Sequence, residues 1–362
     1  MQTILILGAR APIALELARS FSAFGCRVIM ADSLTWTLAR WSNSVERYYT
    51  LPPPNTQLGK YIEELKQILS KERVTHLIPT CEEAFFISMH KNELPCTVWT
   101  ADFNLMNQLH NKQDFIQLAR TYFNVPETIP TSMFSDWSTS KDYVFKPIYS
   151  RFATSVIINK DSEYCKRTIQ QPDKWIAQER IHGKEICVYT IWNNGVLKAF
   201  AAYHPLIRIG KGSGIYFEPY FNQQLFEQIQ TFGTAINYTG QLCFDFIVNE
   251  KGAFVLECNP RGTSGAHLLH HQLAPAFLTD DCYVITSTKT FSIKAAILLT
   301  KPLSLFTKRF HTSTDVILTS KDLLPGILQP LSLLEIMYIK FKHNKTWLGA
   351  TTGDIEWNGY ED

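Results

Sequence analysis

The sequence predicts a protein of mixed α/β and α+β class, in which a doubly wound parallel sheet precedes antiparallel hairpins. Strands and helices alternate through the first hundred residues, and the strands are short continuous apolar runs of the kind buried on both faces. Further on, two pairs of apolar runs flank glycine-containing turns. Ile186–Trp192 faces Val196–Tyr203 across Asn193-Asn194-Gly195, and CFDFIVN faces AFVLE across Glu250-Lys251-Gly252; both read as hairpins. A chain of 362 residues has room for two or three domains.

Taken in order, Thr3–Leu7 is a buried strand, followed by Gly8 and a helix over Ala11–Phe24 that Gly25 stops. Arg27–Ala31 forms a second strand ending in Asp32, Leu58–Leu69 a second helix, and Val74–Ile78 a third strand closed by Pro79. Gly8-Ala9-Arg10-Ala11-Pro12 lacks the G-x-G-x-x-G glycines, which argues against a dinucleotide site. Glu82 and Glu83 read as first-turn acids favoured by the next helix's dipole, although that edge of the sheet is also where ligands bind. Phe115, Leu118, Ala119 and Tyr122 mark a helix that Asn124-Val125-Pro126 ends. Tyr143–Pro147 is an apolar run containing Lys146, and a lysine at the buried end of a strand must find an anion or an exit to water. The next eight residues hold no glycine but include Ser150, Arg151, Thr154 and Ser155, which could donate hydroxyls and charge.

Trp175–Ile181 reads as a strand running into a polar tip, and His204–Gly214 as a basic, glycine-rich loop carrying Arg208 and Lys211. Ala266–Leu273 reads as a helix whose His267 and His270, with His271 beside them, are packing or cleft-lining residues. A helix over Leu331–Phe341, apolar on most sides, is expected to be a buried packing element. The segment Thr352-Gly353-Asp354-Ile355-Glu356-Trp357-Asn358 is distinctive, and the sequence assigns it no role.

Composition narrows the classes. Net charge is +2, from 35 basic and 33 acidic residues, which leaves no footprint for nucleic acid or an anionic membrane. Eight cysteines without a C-x-x-C pair suggest neither zinc nor a disulfide framework and fit a reduced, cytoplasmic protein. Nothing resembles a signal peptide or an 18-residue apolar span.

The hairpin around Gly252 carries the chemistry. With a three-residue loop and Gly252 left-handed, Asn249 faces Ala253. Counting outward then places Asp245 opposite Glu257, with Asn259 on the same face. Opposed side chains sit roughly 5 Å apart at Cβ, where like charges repel. Two carboxylates and an amide at one spot suit a hard cation such as Mg²⁺. A two- or four-residue loop would instead put the carboxylates on opposite faces.

The tail Glu-Cys-Asn-Pro-Arg followed by Gly262-Thr263-Ser264-Gly265 resembles the metal-binding hairpin of the ATP-grasp superfamily. The layout is most similar to its carbamoyl-phosphate synthetase and biotin carboxylase branch. The resemblance spans roughly residues 1–290. It implies a Rossmann-like pre-ATP-grasp domain at 1–105, a small ATP-grasp lobe with its linking helix at 106–185 and a large lobe with the metal hairpin at 186–290. A packing segment would fill 291–362. Carried over, Asp245, Glu257 and Asn259 hold Mg²⁺, or Mn²⁺ in its place, with the phosphates of ATP, and Arg261 faces the transferred phosphate or the intermediate. Lys112 and Lys146 reach the phosphates, and Ser150 belongs to the lid. Glu179 with the backbone of Arg180 and Ile181 reads the adenine edge, while Glu185 accepts the ribose hydroxyls. Arg208 and Lys211 offset charge on the moving phosphoryl group. The implied activity is ligation of a small-molecule carboxylate to an amine or other nucleophile through an acyl phosphate, with release of ADP, and a homodimer by analogy. The alternative is a non-catalytic nucleotide sensor or scaffold, motivated by the glycine-free lid.

Overall fold

The structure is a computed structural model that describes residues 1–150, 155–209, 212 and 214–359. β1 (Thr3–Leu7), α1 (Pro12–Ala23), β2 (Arg27–Asp32), β3 (Arg47–Thr50), α2 (Leu58–Glu72), β4 (His76–Ile78), α3 (Glu83–Met89) and β5 (Thr97–Val98) build a parallel sheet of order β3-β2-β1-β4-β5. Period-2 alternation splits β1 between two cores: Ile4 and Ile6 pack with α1, and Leu5 and Leu7 with α2. Gly8 follows β1 at φ +74°, and a Cβ there would lie 2.4 Å from Thr80 Oγ1. Only glycine lets the ends of β1 and β4 approach so closely.

α4 (Phe103–His110) and α5 (Lys112–Ala119) lead into an antiparallel sheet. It comprises β6 (Thr128–Pro130), β7 (Tyr143–Pro147), β8 (Ile157–Ile158), α6 (Ser162–Thr168) alongside, and β9 (Trp175–Glu179), in the order β6-β9-β7-β8. A larger sheet follows from β10 (Lys184–Asn193), β11 (Val196–Arg208), β12 (Gly214–Tyr220), α7 (Gln223–Ala235), β13 (Gly240–Asn249) and β14 (Gly252–Asn259). Beyond it come α8 (Ala266–Leu269), α9 (Leu273–Leu278), β15 (Tyr283–Val284), β16 (Phe291–Ser292), α10 (Lys294–Thr300), α11 (Lys308–Thr312), β17 (Thr314–Asp315), α12 (Leu324–Lys342) and α13 (Trp347–Thr352). The sheet runs β14-β13-β10-β11-β12-β16-β17, with β15 beside β11. Phe115 and Phe123 from the α5 region and Phe232 of α7 pack on Phe244 and Phe246 of β13, with ring centroids 5.4–6.3 Å apart. With Phe244 and Phe246 anchored in that core, Asp245 between them must point to the opposite face, into the cleft.

Three expectations are corrected. Residues 204–208 continue strand β11 rather than opening a loop, and Pro205 is accommodated at a break in the β11–β12 register. The helix expected over 266–273 breaks at His270 (φ 48°), because the Nδ1 atoms of both His267 and His270 are drawn onto the two oxygens of buried Glu16. α12 is longer than expected and is not a buried packing element, since only Pro325 of its nineteen residues is buried.

The C-terminal segment explains itself in the structure. After α13 it crosses the carboxyl ends of β1 and β2, where Asp354 pairs with Arg10 at 2.6 Å and Asn55 N–H donates to the Asp354 carbonyl at 3.3 Å. Trp357 closes the path, with its N–H on Glu82 Oε2 at 3.1 Å and its indole among Phe85, Phe86 and Phe103. Asp32, the residue a dinucleotide ribose would need, accepts from Arg10 and Leu34 instead. The crevice of the parallel sheet is thus filled by the chain's own tail.

Candidate active site

The hairpin reaches its carboxylate pair by a route the sequence count missed. The turn is the two residues Glu250–Lys251, and Asn249 pairs with Gly252 rather than Ala253. That one-residue error is cancelled by a bulge: Phe246 pairs with Val255 and Asp245 with Glu257, leaving Leu256 as the extra residue. The bulge also aims the Leu256 carbonyl into the cleft, where Lys146 Nζ (3.3 Å) and Gln178 Nε2 (3.4 Å) donate to it.

The structure brings Asp245, Glu257, Asn259, Arg261, Lys112 and Lys146 together. Asn111 caps α5 by accepting from the N–H groups of Gln113 and Asp114, which sets Lys112 at the helix start. Its Nζ lies 3.6 Å from Glu257 Oε2 and donates to the Ser150 carbonyl at 3.0 Å. Lys146 arrives from β7 of the smaller sheet, 3.7 Å from the same oxygen. Asn259 Nδ2 donates to Asp245 Oδ2 at 3.4 Å, and Arg261 Nη2 to Asn259 Oδ1 at 3.4 Å. The ion contacts are longer than close charge-assisted hydrogen bonds, which run near 2.8 Å.

The electrostatics have the same slack. Burial pulls the Lys146 ammonium down to about 8; Glu257 opposes this and Lys112 adds to it. Burial and the Glu257 charge together push the Asp245 carboxyl up. Burial would raise Glu257 too, but Lys112 and Lys146 outweigh it and hold that carboxyl down. Lys146 lacks sufficient negative charge and Asp245 lacks sufficient positive charge. A polyanion arriving with a cation would relieve both.

Glu185 and Arg208 form an ion pair with each other, and Arg208 also donates to the Gly212 carbonyl. His204 Nδ1 contacts the Glu185 carbonyl at 2.8 Å. Glu179 ends β9, its N–H on the Glu127 carbonyl and its carboxylate on the Glu127 N–H. The Arg180 N–H is already donated to the Asp142 carbonyl at 2.8 Å. It therefore cannot read a base edge, which leaves the segment's carbonyls and the Ile181 amide. Lys211, Arg151 and Thr154 lie outside the described residues.

Glu82 and Glu83 are held by different neighbours. Glu83 Oε1 accepts from the N–H groups of Thr80 and Cys81, a structural turn contact. Glu82 faces the cleft, 3.9 Å from Arg261 Nε. The Leu256 carbonyl and Gln178 were missed altogether, because a bulge has no compositional signature and a strand glutamine has none either.

Residues 110–265 match the family of the ATP-grasp domain, a span that runs from just before Lys112 to just beyond Arg261. The chain carries an ATP-grasp domain. Its two lobes are the four-stranded and eight-stranded sheets, and the site lies between them. Among solved structures, N5-carboxyaminoimidazole synthetase from Staphylococcus aureus is similar over 94% of this chain and 97% of its own, at 14% identity and a TM-score of 0.63. L-amino acid ligase from Bacillus licheniformis is similar over 75% of this chain and 69% of its own, at 14% identity and a TM-score of 0.56. Biotin carboxylase from Campylobacter jejuni, in complex with a β-γ-ATP ligand, covers 75% and 70%, at 14% identity and 0.57. At such identities the likeness is one of fold. No curated protein matches the chain by sequence.

Proposed function

We propose that the protein is an ATP-dependent carboxylate–amine ligase acting through an acyl phosphate. The observation that carries this reading is the under-neutralised cluster of Lys112, Lys146, Asp245, Glu257 and Asn259 between the two sheets of an ATP-grasp domain. The donor set fits Mg²⁺, a hard cation that takes one or two carboxylates and fills its other positions with water and phosphate oxygens. Among the described residues no three His, Cys, Asp or Glu side chains form a dedicated metal cage, in keeping with a cation shared with substrate. When bound, the cation neutralises phosphate charge.

In this reading Lys112 and Lys146 bind the phosphates, with Ser150 beside Lys112. Glu179 and Ile181 line the adenine end. Glu185 turns to the ribose once Arg208 leaves it for the phosphoryl group, a role Lys211 would share. Arg261 faces the transferred phosphate and is steered by Asn259 and Glu82. A substrate carboxylate oxygen attacks the γ-phosphorus and ADP leaves; an amine then attacks the acyl carbon and phosphate leaves. The site offers charge and position more than an acid–base pair, as phosphoryl transfer requires. The eight free thiols support a reducing, cytoplasmic setting.

The test is calorimetry of ATP with and without Mg²⁺, followed by ADP release from the same samples with pooled carboxylic and amino acids. Mg²⁺-dependent binding with acid-stimulated ADP release is expected. Binding without turnover in every pool would favour the sensor, which the glycine-free stretch 148–155 also suggests. No binding would remove the nucleotide from the cleft.

A further inference from the structure

The net charge of the chain conceals an uneven distribution. Residues 289–345 hold nine Lys and Arg but three Asp and Glu. All three acids are engaged by other groups of the chain. Asp322 pairs with Arg19 at 2.8 Å and accepts from Ser42, Glu335 accepts from the N–H groups of Thr35 and Trp36, and Asp315 accepts from the N–H of Ile317. Lys289, Lys301, Lys308, Arg309, Lys342 and Lys345 stand exposed, so the outward charge of this segment is positive.

The same segment displays apolar side chains in two stripes. Leu299, Leu303 and Phe306 are 81%, 78% and 82% exposed. On α12, Ile327, Leu334, Tyr338 and Phe341 recur at i, i+7, i+11 and i+14, which places them on one helix face, at 51–70% exposure. Lys340 lies over the rings of Phe341 and Trp347.

We propose that residues 289–347 form a docking surface for an anionic phospholipid bilayer. Protruding leucine, phenylalanine and tryptophan side chains enter the headgroup–acyl boundary, and the lysines meet the lipid charge. A second copy fits less well, because a two-fold interface sets the same patch against itself. The exposed lysines would then face each other, with each carboxylate of the segment already engaged within its own chain. The surface lies on the membrane rather than in it, since no helix among the described residues is long and apolar enough to cross.

The test is flotation of the full chain with vesicles of phosphatidylcholine alone and with about one third phosphatidylglycerol, at low and high salt. Binding at least about tenfold stronger to the anionic vesicles, and weakened by salt, is expected. Leu303→Glu with Phe306→Glu, and separately Leu334→Glu with Phe341→Glu, replace exposed residues and leave the melting temperature in place. Loss of flotation in either pair supports the proposal. Absence of flotation with anionic vesicles overturns it. So does a light-scattering dimer that stays off vesicles and falls to monomer in either double variant, which would assign the surface to a second copy.

Discussion

Two buried ionic clusters in this protein are built from similar groups and behave oppositely. At the edge of the parallel sheet, every N–H of the Arg10 guanidinium has an acceptor. Nε and Nη2 bond Asp32, Nη1 bonds Asp354 and the Thr351 carbonyl at 2.6 Å each, and Nη2 also bonds Ser33 at 2.7 Å. In the cleft between the two lobes, Lys112 and Lys146 stand 3.6 and 3.7 Å from a single carboxylate oxygen, and burial still pulls Lys146 down. A saturated cluster is finished structure. In the proposed function the slack one is held open for a ligand, its charges having been desolvated in folding without complete compensation.

The comparison breaks most sharply at its centre. Glu257→Gln removes the negative charge both lysines share, and Mg²⁺-dependent ADP release should fall by about 100-fold or more in a variant that still folds. A folded variant with undiminished turnover would take Glu257 out of the site. Asp354→Ala should do the reverse. It strips half the carboxylate support from buried Arg10 and should cost about 3 kcal/mol of stability, read as a lowered urea midpoint, with ATP affinity unchanged. An affinity loss without a stability loss would show that the tail serves the cleft instead.

Glu16 belongs with the saturated class and sharpens it through pH. Its oxygens are taken by His267 at 2.9 Å and by His270. Burial alone would raise this carboxyl; the two imidazole contacts reverse that and hold it at about 2, against an ordinary 4.5. A lowered carboxyl stabilises the fold above its unfolded value and loses that contribution as pH falls through the folded one. The stability difference between the parent and Glu16→Gln should thus be about 3 kcal/mol near neutrality and shrink between 4.5 and about 2. A difference independent of pH would mean that the cluster is held by shape alone.

Most of the architecture was legible because it rests on local patterns. β1, β2 and β7 follow from apolar runs, and the hairpins from glycine turns. The cleft carboxylates were legible only by compensation, since the turn is one residue shorter than counted and Leu256 bulges to restore the pairing. Sequence patterns register a face, but an inserted residue in a strand leaves no trace in composition. The tail was illegible for another reason: its partners, Arg10 and Glu82, are separated from it by more than 270 residues. Glu185 and Arg208 were each given a separate role, and only the fold shows that they hold one another. Apolar α12 shows the limit of composition as a guide to burial, because what covers such a face need not lie in the same chain.

The smallest predicted effect is also the most discriminating. Lys146→Met keeps the length and packing of the side chain but deletes the ammonium, leaving Glu257 with Lys112 at 3.6 Å. If Lys146 were a structural ion-pair member like Arg10, the change would destabilise the protein by several kcal/mol. If it is a desolvated charge kept for phosphate, an apolar replacement should be neutral or stabilising, while ATP affinity drops about tenfold, or about 1.4 kcal/mol. Melting curves and calorimetry on one preparation separate the two. Affinity lost with stability kept would mark the ammonium as a ligand-binding charge, whereas stability lost with affinity kept would move Lys146 into the same class as Arg10.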